Sequence, residues 1–272
     1  MHVVRTLDSK LLREAQTLAV SLAEQAGDIQ LAALRDGNTI RYKGTVDLVT
    51  DADIASEHLI STGILAAYTD HRLTGEEGAI GNLESDYRWL IDPIDGTTNF
   101  AHGMPHWAVS ICLVHHDSPV MGVVFDVARN EMFTAIAGEG AFLNGEPIGV
   151  SAVDQMMQAL GATGVSYDIS ERGSGFRLWE YFNDNAQAMR RAGAAALDMV
   201  WVACGRLDFY LEKPINNWDV AAGAIICIEA GGIVSRFNGE PYQIDDREIA
   251  ASNRRLHNQI LQLIPQTTVP RG

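Results

Sequence analysis

Cysteine is rare in this chain, and the positions of its cysteines limit the kinds of site that the chain can build. Cys112, Cys204 and Cys227 are the three cysteines, and they lie far apart, within apolar runs. This pattern predicts small core residues in a reducing compartment rather than a disulfide framework. No Cys-x-x-Cys pair and no Cys/His spacing typical of zinc sites occurs. The sequence therefore gives no reason to expect structural zinc.

Long apolar runs are also missing. No stretch reaches the about 18 uninterrupted apolar residues that would predict a membrane span, and the first residues lack the apolar core of a secretory signal. A chain of 272 residues that is 47% hydrophobic and 20% charged can bury a large core, as one domain or as two closely packed lobes. We therefore expect a globular cytoplasmic protein with no membrane partner.

Basic residues are outnumbered: 20 Lys and Arg stand against 35 Asp and Glu, a formal net charge of −15. This balance argues against a protein that binds nucleic acid directly or coats anionic membranes, because both need a basic face. It also matters for phosphate chemistry. A very acidic protein that binds a phosphate ester needs positive charge from elsewhere, and bound divalent cations would supply it.

The most informative stretch is WLIDPIDGTTNF, from Trp89 to Phe100. The residues before Asp92 are apolar and aromatic enough for an inner strand, and Pro93 predicts that the strand ends on this carboxylate. Asp95 can turn its carboxylate to the same point, and the Ile94 carbonyl between them is freed by the turn. Two carboxylates and a backbone oxygen are hard ligands that suit Mg²⁺.

Gly96, Thr97 and Thr98 follow at the start of a predicted helix. Free backbone N–H groups and the positive end of the helix dipole make such a start a phosphate site. A strand, an Asx-type turn and a capped helix with no ligand would also explain a bare Asp-Pro-x-Asp. The complete string of twelve residues is more specific than that short motif.

Hydrophobic periodicity and turn residues predict a layered α/β fold around this stretch. The predicted elements are helices from Leu7 to near Gly37 and from Asp51 to about Ala67, strands at Tyr87–Ile91, Trp107–Val114, Val120–Phe125 and Glu131–Ile136, helices at Arg177–Arg191 and Gly193–Cys204, a strand at Leu207–Glu212 and a helix at Val220–Ala230.

With the stretch from Trp89 to Phe100 as its signature, the chain resembles the inositol monophosphatase family of metal-dependent phosphatases. Four further blocks carry the resemblance over nearly the whole chain: VDLVTDAD at 46–53, GEE at 75–77, GEGAFLNG at 138–145 and NWDVAAG at 217–223. The resemblance implies an α-β-α-β-α sandwich similar to the inositol monophosphatase and fructose bisphosphatase folds. We expect a metal- and phosphate-binding lobe at 1–150, a second lobe at 151–272 that completes the substrate pocket, and a homodimer.

The same resemblance implies two or three Mg²⁺ ions per site, for which Mn²⁺ could substitute. Glu76, Asp92 and the Ile94 carbonyl would hold the first ion, Asp92, Asp95 and Asp219 the second, and Glu76 could share a third. Without the resemblance, Gly75-Glu76-Glu77 reads as a solvated loop. Asp219, at the start of an apolar helix beside Trp218, is then either a dipole-stabilising cap or a buried charge that needs a partner such as a metal ion. The ligand set therefore depends on the family pattern.

The catalytic residues implied by the resemblance are Asp47, Glu76 and Thr97. In this pattern Asp47 polarises Thr97, which deprotonates a metal-bound water, and Lys43 lies near the metals. Asp51 and Asp53, the other acids of this cluster, are left with structural roles such as capping.

The substrate is expected to touch both lobes. The phosphate would bind at Asp95, Gly96, Thr97 and Thr98, and the alcohol would lie against Gly193, Ala194, Ala195, Glu212 and Asp219. The implied reaction is Mg²⁺-dependent hydrolysis of inositol 1-phosphate. Fructose-1,6-bisphosphatase or a broad sugar-phosphate phosphatase of the same fold stays open, and so does a regulatory protein of a transcription complex.

Overall fold

The computed structural model describes residues 8–36, 40–42, 48–76, 78–166 and 171–264. The first part of the chain builds two helices, a short strand pair and a large sheet. Its elements are α1 (Ser9–Asp36), β1 (Ile40–Tyr42), β2 (Leu48–Thr50), α2 (Asp51–Ala67), β3 (Arg72–Gly75), β4 (Gly78–Gly81), β5 (Tyr87–Asp95), α3 (Thr97–Ala101), β6 (Ala108–His115), β7 (Ser118–Asp126), β8 (Glu131–Ile136), β9 (Gly140–Leu143) and β10 (Glu146–Pro147).

The remainder alternates short strands with helices. Its elements are β11 (Leu160–Thr163), α4 (Arg172–Asn185), β12 (Ala188–Arg190), α5 (Ala195–Ala203), β13 (Phe209–Glu212), α6 (Asn217–Glu229), β14 (Ile233–Ser235), β15 (Ile249–Ser252) and α7 (His257–Leu263). None of the helices in the described ranges is both long and apolar enough to cross a membrane.

The two larger sheets differ in strand direction. The eight-stranded sheet has the order β10-β9-β8-β7-β6-β5-β3-β4 and is antiparallel except where β3 runs parallel to β5. In the five-stranded sheet, of order β12-β11-β13-β15-β14, the first three strands are parallel and β15 is antiparallel to both neighbours. The central strands of both sheets are buried on both faces, which explains their nearly continuous apolar sequences.

Five layers result. Helices α5 and α6 fill the space between the sheets, where Phe133 of the first sheet and Tyr210 of the second belong to one core. Helices α1 and α2 cover the outer face of the first sheet, and α4 and α7 cover the outer face of the second. This α-β-α-β-α arrangement confirms the predicted fold class. The boundary near residue 150 stays a prediction.

Close packing between α6 and β7 depends on a glycine. A Cβ atom at Gly122 would lie 2.7 Å from the backbone oxygen of Ala222, so only glycine lets the helix backbone approach the sheet this closely. Helix α6 is apolar nearly all round because it has a sheet on each side. This packing fixes the position of the first turn of α6, at the edge of the helical layer between the two sheets.

Two expectations about element boundaries are wrong. Strand β5 does not end at Asp92 but continues to Asp95, and the register with β6 shifts between these two residues. Pro93 has no N–H to donate, so the ladder bulges there instead of stopping. The helix expected at Arg177–Arg191 begins and ends earlier, because Ala188–Arg190 pairs with β11 as a parallel edge strand.

Candidate functional site

A pocket of about 270 Å³ opens where β5 meets α3, and both halves of the chain line it. It brings together the predicted site residues that the structure describes. These are Glu76, Asp92, Ile94, Asp95, Gly96, Thr97, Thr98, Gly193, Ala194, Ala195, Glu212 and Asp219. Asp47, Lys43 and Glu77 lie outside the described residues.

The bulge at the end of β5 forms the floor of the pocket, and hydrogen bonds hold it in place. The Asp92 carboxylate accepts a hydrogen bond of 3.0 Å from the Ile94 backbone N–H, which closes an Asx turn over Pro93. From behind, the amide of Gln30 in α1 donates to the Pro93 carbonyl oxygen at 2.9 Å. Gln30 is fully buried and also accepts a bond from Trp107. The sequence reasoning missed Gln30, because nothing local links it to a turn 63 residues away.

Asp95 joins the two halves of the site. Its carboxylate oxygens accept the backbone N–H groups of Ala195 at 3.1 Å and Ala196 at 2.7 Å. These are the first residues of α5, so a negative charge sits at the positive end of that helix. The side chain is buried, and burial raises the pKa of Asp95 to about 7 although these bonds act in the opposite direction.

Thr97 lies within hydrogen-bond distance of Asp53, a carboxylate for which the sequence predicted only a structural role such as capping. The Thr97 hydroxyl has two acceptors in reach: the Ile94 carbonyl oxygen at 3.0 Å and Asp53 Oδ1 at 3.2 Å. Asp53 Oδ2 accepts the Thr50 backbone N–H at 2.8 Å and the Thr50 hydroxyl at 2.5 Å. Thr50, rather than Asp51, is the N-cap of α2, so Asp53 both completes a capping box and holds Thr97.

Negative charge accumulates around the bulge. The pKa of Asp92 is well above its usual range because of burial, and the charges of Asp95, Asp219 and Glu76 add to the effect. Burial likewise raises the pKa of Asp219, with contributions from Asp95 and Glu212. Within the described part of the chain, no Lys, Arg or His forms an ion pair with Asp92, Asp95 or Asp219. Asp95 is buried and Asp92 and Asp219 are half-buried, and such carboxylates with no counterion among the described residues favour protonation or a bound cation.

The donor set fits a hard cation by its chemistry. Carboxylates at Asp92, Asp95 and Asp219 and the Ile94 carbonyl are all oxygen ligands, which Mg²⁺ prefers. Among the described residues, no three His, Cys, Asp or Glu side chains already stand at ligand spacing around one point. The fit therefore rests on the type of donor and on the mutual repulsion of the acids.

The opposite wall of the pocket is also acidic. Glu212 ends β13, is buried, and has its pKa raised to about 7 by burial; the Tyr210 hydroxyl donates to its carboxylate. Gly164 is required beside it, since a Cβ atom there would overlap the Glu212 carboxylate. Asp198 lines the same wall, is 2% exposed and leaves one carboxylate oxygen without a partner within the described ranges. Sequence reasoning missed Gly164 and Asp198, which carry no motif.

The profile of the inositol monophosphatase family matches residues 11–268, almost the whole chain. The chain belongs to the inositol monophosphatase family. Inositol-1-monophosphatase of Synechocystis sp. is 42% identical over 231 residues, which are 84% of this chain and 80% of that protein. Nus factor SuhB of Pseudomonas aeruginosa is 38% identical over 91% of this chain and 94% of its own.

The fold agrees with this assignment. The structure of inositol monophosphatase from Anabaena (Nostoc) sp. superposes with a TM-score of 0.86 and 35% identity, and covers 96% of this chain and 98% of the other. The chain is therefore a phosphatase of the inositol monophosphatase type, a metal-dependent family, and its substrate is a small molecule.

Proposed function

We propose that this protein is a Mg²⁺-dependent phosphomonoesterase that hydrolyses inositol 1-phosphate to inositol and inorganic phosphate. The observation that carries the proposal is a set of carboxylates facing one pocket beside a polarised hydroxyl. These groups are Glu76, Asp92, Asp95 and Asp219, with the Thr97 hydroxyl. Phosphoryl transfer needs positioned positive charge, and these acids would gather it in an otherwise acidic protein.

The ligand assignment follows the family pattern. Glu76, Asp92 and the Ile94 carbonyl would hold one Mg²⁺ ion, Asp92, Asp95 and Asp219 a second, and Glu76 could share a third, with Mn²⁺ as a possible substitute. Bound ions would supply a water of lowered pKa and positive charge beside the departing oxygen.

Thr97 is the residue that handles the proton of the attacking water. The Thr97 hydroxyl carries one hydrogen, which it can donate to Asp53 at 3.2 Å or to the Ile94 carbonyl at 3.0 Å, and in either case its oxygen keeps lone pairs for a water proton. As Thr97 takes that proton, its own proton can pass to Asp53, which acts as the general base of the pair. In this proposal Asp53 takes the role that we expected of Asp47.

The remaining residues bind the two ends of the ester. Backbone N–H groups of Gly96, Thr97 and Thr98, at the start of α3, would hold the phosphate together with the ions on Asp95 and Asp219. Across the pocket, Glu212 would accept hydrogen bonds from ring hydroxyls, and Gly193, Ala194 and Ala195 would lie against the ring. In this arrangement water would attack the phosphorus directly, and no covalent phosphoenzyme would form.

The test is phosphate release from a panel of esters, with Mg²⁺ and with EDTA. The panel contains inositol 1-phosphate, fructose 1,6-bisphosphate, histidinol phosphate and adenosine 3′,5′-bisphosphate. We expect Mg²⁺-dependent turnover with the highest kcat/KM for inositol 1-phosphate. A release that is the same in EDTA would contradict the metal assignment, and no release from any ester would contradict the enzymatic one.

A bisphosphate substrate is the second candidate, and one observation favours it. Arg191 and Arg247 line the same pocket as the acids and could pair with a second phosphate. If fructose 1,6-bisphosphate has the highest kcat/KM in the panel, the mechanism stands and the substrate changes. Broad sugar-phosphate activity would appear as similar values for several esters.

A non-enzymatic role is suggested by the similarity to Nus factor SuhB. In that case the chain would bind a protein of the transcription machinery and would have no direct contact with nucleic acid, since its charge is strongly negative. Affinity capture with the wild-type chain and with Asp95→Asn would separate this role from catalysis. Capture of the same protein partner by both chains would support it.

A homodimer is the expected assembly, and a second cavity suggests where the copies meet. This cavity, of about 340 Å³, is lined by apolar residues such as Leu207 and Trp201 and by charged ones such as Arg129 and Arg206. Met104, which also lines it, is 48% exposed. Sedimentation should give twice 29.6 kDa for the wild type and a smaller species for Met104→Glu. A wild-type monomer would contradict the dimer. We also propose a cytoplasmic location, which the three free cysteines suit.

A further inference from the structure

Asn99 lies in α3, two residues after Thr97, and is 9% exposed. Its side-chain amide donates to the carbonyl oxygen of His106 at 2.8 Å and of Ala192 at 2.9 Å, and it lies 3.4 Å from the carbonyl oxygen of Gly193. The bond to Ala192 spans 93 residues of sequence. One side chain thus connects α3 both to the loop before β6 and to the segment that leads into α5.

The chemistry of this contact requires an amide. The NH₂ group has two hydrogens, and the three carbonyl oxygens around it can only accept, so the nitrogen must face them. A carboxylate of the same shape would place negative charge against these oxygens. A smaller residue would leave buried carbonyl groups without a donor.

The connected segments are the two sides of the proposed substrate pocket. The turn at Gly96–Thr98 would hold the phosphate, and the segment 192–195 would lie against the alcohol. The sides are also in close contact: a Cβ atom at Gly96 would come within 3.2 Å of both the Gly193 carbonyl oxygen and the Ala194 Cβ. A small slip of either segment therefore changes the distance between the two binding regions.

Asp95 makes two further hydrogen bonds between the two sides of the pocket, but it also has another task in the proposed mechanism. Its carboxylate accepts hydrogen bonds from backbone N–H groups of α5 and is also a proposed metal ligand. The negative charge of Asp95 therefore interacts with both the helix and the metal ion. Asn99 is neutral and has no ligand to hold. Because its hydrogen bonds join an amide to carbonyl groups, none of which titrates, we expect them not to depend on the charge of Asp95.

We infer that Asn99 is a positioning residue that fixes the alcohol-binding segment 192–195 relative to the phosphate-binding turn at Gly96–Thr98. The inference rests on the proposed function for its substrate, and it goes beyond that function by separating recognition of the alcohol from recognition of the phosphate. Esters whose alcohol makes hydrogen bonds in the pocket should depend on Asn99. Esters whose alcohol makes no hydrogen bonds in the pocket should not depend on Asn99.

Kinetics of Asn99→Ala and Asn99→Asp on two substrates test this dependence. For inositol 1-phosphate we expect KM to rise about tenfold, with kcat within about threefold of wild type, because the lost interaction concerns ground-state alignment of the ring. For p-nitrophenyl phosphate, which has no hydroxyl group, and for inhibition by inorganic phosphate we expect changes below about twofold.

Asn253 provides a matched control. It is 1% exposed, and its amide donates to the Ser151 hydroxyl at 2.8 Å and the Val153 carbonyl at 3.0 Å, at the end of β15 remote from Glu212. Asn253→Ala should lower Tm at least as much as Asn99→Ala, without the substrate-dependent change in KM. Equal loss on both substrates, or no change on either, would overturn the inference.

Hydrogen exchange gives a readout that does not need activity. Amides of residues 192–198 should exchange faster in Asn99→Ala than in wild type, whereas Asn253→Ala should leave them unchanged. If the wild-type protein released no phosphate, the proposed function would fail while this measurement still decided the role of Asn99. Unchanged exchange in Asn99→Ala would contradict the inference by itself.

Discussion

Helices α2 and α6 begin in the same way, and each carries an aspartate at the third position of its first turn. Asp219 lines the pocket, whereas Asp53 contacts Thr97, which lines it. Asp53 and Asp219 both accept a hydrogen bond from the backbone N–H of the residue before their helix, at 2.8 Å and 3.3 Å. The local reason is the same in both, since an acid at this position satisfies a free N–H and faces the positive end of the helix.

The two aspartates differ in what remains for their oxygen atoms to do. Asp53 also accepts the hydroxyl groups of Thr50 and Thr97, so both of its oxygens are engaged by protein donors. Asp219 accepts only the one long bond in the described residues, and other acids surround it. The difference teaches that one capping geometry can present a hydrogen-bond acceptor at one helix and free lone pairs for a cation at the other.

The largest effect should come from substituting Asp219, the aspartate whose oxygen atoms are free for a cation. We expect Asp219→Asn to lower Mg²⁺-dependent kcat/KM by about a thousandfold or more, because a ligand and a full charge are lost together. In EDTA the variant should unfold no earlier than wild type, since the substitution removes one of several repelling acids. Phosphate release and thermal unfolding measure the two effects. Asp154→Asn, at an exposed aspartate, is the control, and near-normal turnover of Asp219→Asn would contradict the assignment.

A smaller effect is expected from substituting Asp53, the aspartate whose oxygen atoms accept hydrogen bonds from the protein, or its partner Thr97. Asp53→Asn and Thr97→Val should each lower kcat about a hundredfold while Mg²⁺ binding, followed by calorimetry, stays near wild type. If the two side chains act as one unit, the double variant should be no worse than the slower single one.

Asp51→Asn is the matched control for this pair, because Asp51 lies in the same turn of α2 and is exposed. It should leave kcat within about twofold of wild type. Multiplicative losses in Asp53→Asn/Thr97→Val would show that the residues act separately and would remove the proton relay from the mechanism.

The pH dependence of stability sharpens the comparison further. The pKa values of Asp95 and Glu212 are raised to about 7 in the folded protein, so these groups hold protons that the unfolded chain releases near pH 4. Metal-free protein should therefore lose stability as pH rises from about 4 to about 7, by up to about 1.4 kcal/mol per pH unit for each such group, and level off above.

Urea unfolding in EDTA and in Mg²⁺ measures this slope. Bound cations should flatten it, because they favour the charged carboxylates, and Asp219→Asn should flatten it in EDTA by removing one of the raised acids. Asp53→Asn should have less effect, since hydrogen bonds from Thr50 and Thr97 oppose the rise in the pKa of Asp53. A metal-free protein that gains stability between pH 5 and 7 would contradict the account.

The sequence was most informative where chemistry is local. Pro93 between two acids and an apolar run before them predicted the position of Asp92 and Asp95, and the nearly all-apolar run Val220–Ala230 predicted a buried helix. The bulge that carries β5 on to Asp95 was not predictable, because it depends on pairing with β6, which lies later in the chain. The same applies to α4, whose end is decided by the pairing of β12 with β11.

Contacts between distant segments account for the rest of what was missed. The pattern Thr50-x-x-Asp53 is a readable capping box, but no periodicity indicates that Asp53 also reaches Thr97, 44 residues away. The bond from Asp95 to the start of α5 spans 100 residues. Tertiary packing, rather than local preference, selects these partners, so sequence reasoning gives the residue types and the fold gives their pairing.

The smallest effect is expected from substituting the N-cap residues of the two helices, Thr50 of α2 and Asn216 of α6. Thr50→Ala removes the buried hydroxyl that accompanies Asp53, and we expect a loss of about 1 kcal/mol in the free energy of unfolding and a three- to tenfold lower kcat. Asn216→Ala removes an exposed side chain but keeps the backbone N–H that donates to Asp219, so kcat should stay within about twofold. Urea unfolding and kcat at saturating Mg²⁺ measure both variants. If Thr50→Ala and Asn216→Ala behave alike, Asp53 does not depend on its cap for orientation, and the distinction between an engaged and a free aspartate would rest on Thr97 alone.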